Sequence, residues 1–279
     1  NQEFQVDLAL AGLAPLEEQA GRFAALRAKV VPEWKLAWPQ LMIRTAEKLR
    51  LPSWRGAYYR EVARAAAEIT PEELRGSDTM DFAYMLLRSG VALDDAQTAN
   101  LFARAESFFS PLAAATGKDE EDIREYEAKG ARMGLALVRI WQAAQAPPAE
   151  RAVLLREYMP VWNALPAMYG MVFTNSEHFQ SLFRTVFERS EAALKQEPLF
   201  WRAWGLAEAY SGRGYDDKKA SVYDEKFAEA TALAPRDGEL WTLWGRIGED
   251  KRSYDNKSTL PISQRLERGA CYNEQSIAS

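Results

Sequence analysis

Apolar residues recur along this chain three and four positions apart, and almost nowhere in the alternation of a half-buried strand. Leu101, Phe102, Ala105 and Phe108 make one such stripe. Phe179, Leu182, Phe183 and Val186 make another, and Ile123, Tyr126, Met133, Leu137, Ile140 and Trp141 run along a third. The segments are filled with Ala, Leu, Arg and Glu, which favour helix, while β-branched runs are missing. Start signals punctuate the pattern. Thr70-Pro71-Glu72-Glu73 and Thr174-Asn175-Ser176-Glu177 carry capping-box spacing, and Asp94 precedes Gln97 by three. Stops fall at Pro52, Gly76, Gly90, Pro111, Gly117, Pro147-Pro148, Pro198 and Pro235.

The pattern predicts helices near 16–29, 33–49, 53–68, 78–89, 95–109, 119–145, 149–163, 176–195, 199–211, 217–234 and 238–247. A polar connector follows Asp250, then a short helix and a draped tail to Ser279. The expected fold class is all-α. Gly130 and Gly134, four apart on the longest helix, predict a close helix crossing there.

Composition narrows the chemistry. The chain of 279 residues is 47% hydrophobic and 27% charged, which is ordinary for a globular protein. With 35 Lys+Arg against 40 Asp+Glu the formal charge is −5, and no basic block offsets it, so nucleic acid is not the expected partner. One Cys excludes an intramolecular disulfide and a Cys-based zinc site. One His, His178, argues against triads and His-rich metal centres. No catalytic residue, cofactor or metal is expected. Apolar runs such as 133–141 are too short to cross a bilayer, so no transmembrane segment is expected and the chain reads as soluble. It opens on Asn1 with no signal-peptide pattern behind it; the compartment stays open between the cytoplasm and, after removal of a leader, the periplasm or exterior.

Nine Trp remain to be explained. Four of them fall in two strings, Trp201-Arg-Ala-Trp204-Gly205 and Trp241-Thr-Leu-Trp244-Gly245, forty residues apart. Each is preceded by a helix end in which Ala stands five residues before Pro, Ala193 with Pro198 and Ala230 with Pro235. A period near forty in a helical chain points to stacked helix pairs.

These residues resemble the tetratricopeptide repeat family, with Trp201, Trp204 and Gly205 on its first-helix motif and Phe227, Ala230 and Pro235 on its second. The likeness covers about residues 190–248. It departs from the family where Glu208 and Gly248 replace the first-helix Tyr, where Tyr223 fills a small-residue slot, and where six extra residues lengthen the 211–216 turn. The resemblance implies a helical-hairpin array with right-handed stacking behind an N-terminal helical bundle. The expected division is 1–146 for the bundle, 147–249 for the repeat region and 250–279 for a polar tail. It further implies a non-catalytic scaffold whose groove holds a peptide or a partner protein. The groove-lining positions would be Arg202, Leu206, Ala209, Glu239, Thr242 and Arg246, with Arg202 and Arg246 as anchors for an acidic segment.

A second reading is an all-α enzyme or small-ligand protein with a cavity lined by Trp34, Trp38, Trp54, Tyr58 and Phe82 beside Arg55. Its metal variant rests on Asp217, Ser221 and Glu225, whose i, i+4, i+8 spacing is similar to the second magnesium motif of class I terpene synthases. The aspartate-rich partner motif is missing. Asp94-Asp95 lacks a third carboxylate, and the acids at 119–122 sit where a helix start favours them. Trp141 and Trp162 are assigned only to packing.

Overall fold

The computed structural model describes residues 2–29, 36–49, 52–93, 96–114, 121–165, 177–210, 220–250 and 260–277. Among them every regular element is helical, which makes the protein all-α. In chain order the helices are α1 (Gln2–Leu13), α2 (Leu16–Arg27), α3 (Ala37–Lys48), α4 (Pro52–Ala66), α5 (Ser77–Leu93), α6 (Gln97–Ala114) and α7 (Glu121–Gln145). They continue as α8 (Pro148–Glu157), α9 (Met159–Asn163), α10 (Glu177–Leu194), α11 (Pro198–Tyr210), α12 (Ala220–Leu233), α13 (Gly238–Asp250) and α14 (Ile262–Ile277). Among the described residues no helix is long and apolar enough to cross a membrane.

Two compact units divide the chain, Asn1–Val138 and Arg139–Ser279, and the boundary falls inside α7. In the first unit α5 packs along α6, α3 along α4, and α4 bridges to α5 and α1. Its core is built from aromatic edges. Phe82 meets Phe108 at 5.1 Å and Tyr84 meets Phe109 at 4.8 Å, both edge-on. The Tyr58 hydroxyl donates to Leu8 O at 3.1 Å and ties α4 to α1. The glycine pair on α7 does what its spacing predicts. A side chain at Gly130 would run into Met80 of α5, and one at Gly134 into Phe109 of α6. The fully buried Tyr84 hydroxyl also donates to Gly130 O at 2.6 Å.

Several elements differ from the sequence pattern for local reasons. The first helix carries no helical period in the sequence, because Phe4, Val6, Leu8 and Leu10 alternate. The Thr70 amide does donate to Glu73 Oε2 at 2.8 Å, but the box opens only a 3₁₀ turn, Pro71–Glu73. Gly76, at φ 55°, then turns the backbone before α5 begins. The single helix expected over 149–163 breaks at Tyr158, two residues before Pro160, which has no N–H to give. The caps at Asp94 and Thr174 lie outside the described residues.

The second unit holds α8 to α14. Here α11 packs along α12, and α13 along α14, while α9 lies against α11 and α12 against α13. The short helix expected after the polar connector runs for sixteen residues, Ile262–Ile277, and buries Arg265 fully.

Candidate functional site

The two W-x-x-W-G strings occupy the first helix of each pair, and their surroundings repeat. Trp201 Nε1 donates to Lys195 O at 2.9 Å, and Trp241 Nε1 donates to Pro235 O at 2.9 Å, forty residues on in both partners. Trp201 stacks on Trp204 with ring centroids 5.5 Å apart, as Trp241 does on Trp244. Phe187 of α10 stacks on Trp204 at 5.5 Å, and Phe227 of α12 stacks on Trp244 at 6.3 Å. A Cβ at Gly205 would lie 2.7 Å from the Phe227 ring, and one at Gly245 2.5 Å from Leu266. Both glycines therefore permit the close approach of the second helix.

Each tryptophan pair also carries cations from that second helix. Lys226 Nζ stands 3.7 Å from the Trp204 centroid and 5.1 Å from that of Trp201. Arg265 lies 4.2 Å over Trp244, and Arg268 4.9 Å over Trp241. Arg265 Nη2 faces Asp224 Oδ1 at 2.9 Å, and that same oxygen accepts from Trp244 Nε1 at 2.7 Å. In this forty-residue register Phe187 corresponds to Phe227 and Ser190 to Ala230. Equating Pro198 with Pro235, as the sequence suggests, does not match this register. Pro198 is the first residue of α11, whereas Pro235 lies in the turn before α13. Contacts also join α8 and α9 to α10. Arg151 Nη1 of α8 donates to Ala193 O of α10 at 2.6 Å, and Trp162 of α9 meets Phe183 at 6.0 Å and Phe187 at 5.5 Å.

The positions expected to line a groove fall into two groups. Glu239, Thr242 and Arg246 share the open stripe of α13 with Glu249. Thr242 lies at its edge, where Asn273 Nδ2 of α14 donates to its hydroxyl at 3.3 Å. On α11 the matching face is covered, with Leu206 fully buried and Arg202 and Ala209 nearly so. Arg202 is nevertheless joined to the open stripe. Its Nη2 donates to Glu239 Oε1 at 2.6 Å and to Asn163 Oδ1 of α9 at 2.9 Å. One guanidinium thus links residues of α9, α11 and α13. Asn163 carried no signal in the sequence, because a bond spanning 39 positions is visible only in the fold.

The residues of the second reading differ in exposure. Trp38, Tyr58 and Phe82 are buried, Trp54 is exposed, and Trp34 lies outside the described residues. Trp38 Nε1 donates to the buried Glu61 carboxylate at 3.0 Å, and Arg64 caps the same carboxylate at 2.6 Å. Arg55 is turned to its own chain, donating to Leu49 O at 2.8 Å. Of the magnesium motif, Glu225 is exposed on α12, Asp217 lies outside the described residues, and so does the Ser221 side chain. Among the described residues no group of three His, Cys, Asp or Glu is placed to hold a metal ion. The chain matches no protein-family model, and no curated protein or solved structure is detectably similar to it.

Proposed function

We propose that the C-terminal unit is a non-catalytic, tetratricopeptide-like binding module that holds an acidic peptide or an acidic segment of a partner protein. The observation that carries this reading is the forty-residue recurrence of contacts, including the paired tryptophans, the close-approach glycine, and the aromatic from the preceding pair. A helix pair repeated this way buries its apolar side on its neighbours, and on α13 one stripe is left for other work. On α13 that stripe presents Thr242 and Arg246, and Glu239 brings the Arg202 guanidinium to it. Guanidinium groups at such positions favour carboxylates, which they grip with paired, charge-assisted hydrogen bonds.

Affinity capture from the native source tests the reading when run beside Arg246→Glu, a surface substitution expected to leave far-UV circular dichroism unchanged. The expected result is an acidic protein retained by the wild type and lost from the variant. The same proteins retained equally by both would contradict it.

A further inference from the structure

We propose that Glu239 is a built-in competitor for the groove, occupying the place on Arg202 that a partner's carboxylate takes; this rests on the reading that the groove binds acidic segments. The two ends of the pair differ sharply in exposure, with the Arg202 side chain 7% exposed and that of Glu239 71%. The cation is therefore fixed inside the fold, its Nη2 also held by Asn163, while the carboxylate that neutralises it reaches in from solvent. A buried guanidinium must keep an anion beside it, but nothing requires that the anion belong to this chain. Arg202 Nε, buried and without a hydrogen bond among the described residues, adds an unused donor on the same group. A single glutamate oxygen satisfies Nη2 only, whereas an incoming carboxylate free to orient itself can serve two donors.

Exchange leaves both ends intact. Once displaced, Glu239 remains in the first turn of α13, where a negative charge is welcomed by the helix amides. Asp237 keeps capping that turn, accepting from the Leu240 amide at 3.0 Å, so release of Glu239 does not uncap the helix. Arg246, two turns further along the same stripe, meets a second acidic side chain of the ligand. The groove is thus self-occupied when empty, and it selects against neutral segments, which offer Arg202 nothing in exchange for Glu239.

The test is fluorescence anisotropy of a labelled ten-residue glutamate-rich peptide with a free C-terminus, titrated with the full chain and with Glu239→Gln. Removing the competitor should tighten binding about tenfold, with far-UV circular dichroism unchanged. Glu239→Asp, whose shorter arm draws the carboxylate away from Arg202, should tighten it by a smaller factor and carries the test if the Gln variant does not fold. Wild-type binding that Glu239→Gln leaves equal or weakens would overturn the competitor role alone. No binding by either protein would overturn the groove's acidic specificity together with it.

Discussion

A methyl group added at Gly205 would sit 2.7 Å from the Phe227 ring, and one added at Gly21 would meet nothing within 4 Å. The same substitution therefore has opposite signs at the two sites. Gly205→Ala should destabilise by about 1–3 kcal/mol, because the stacked aromatic cannot retreat without disturbing Trp244. Gly21→Ala, in the open interior of α2, should stabilise by roughly 0.5–1 kcal/mol. Urea midpoints of the two variants would show the difference directly. Tyr84 gives a second residue-scale prediction. Burial first, and then the neighbouring Tyr126, push its phenol well above the usual 10.0. A raised acid is neutral in the fold after the unfolded chain has begun to ionise. Its stabilising contribution is complete below about pH 10 and is lost as pH rises beyond it. Stability followed by urea unfolding should fall above pH 10, and Tyr84→Phe should flatten part of that slope. An identical slope in the variant would show that Tyr84 is not its source.

Whole elements were legible wherever a period and a breaker coincided. The α7 stripe ends before Pro147-Pro148, and α10 shows its apolar face plainly in Leu182, Phe183 and Val186. The alternating residues of α1 hid a helix, and Pro160 split another, because pattern reports exposure while local chemistry decides continuity. The short C-terminal helix was legible, but its packing was not: Arg265 covers Trp244 and Gly269 abuts Thr242. The candidate site divides the same way. Glu239, Thr242 and Arg246 follow from helical spacing once Trp241 sets the register, but the Arg202 bonds to Glu239 and Asn163 are tertiary facts. If α14 is the second helix of the last pair, a chain ending at Asp250 should expose Trp241 and Trp244. We expect red-shifted tryptophan emission and a lower urea midpoint; unchanged emission would mean that α14 does not shield them.

Across the whole molecule the formal charge of −5 opposes an acidic ligand at long range. Capture must then depend on the few cations at the groove, which makes the account sensitive to a single charge. The −5 is a property of the entire chain, whereas Arg202 and Arg246 act within one unit, and salt screens the long-range term before the buried one. In the N-terminal unit Trp38, Tyr58 and Phe82 are buried, and Trp38 and Tyr58 make hydrogen bonds there. The function proposed for the protein accordingly rests on the C-terminal helix pairs. Calorimetric titration of the full chain with a glutamate-rich ten-residue peptide, repeated with Arg246→Glu, tests that claim most directly. Saturable binding that the charge reversal weakens at least about tenfold, a loss of roughly 1.4 kcal/mol, is the predicted result. Equal affinity for the two proteins would contradict it.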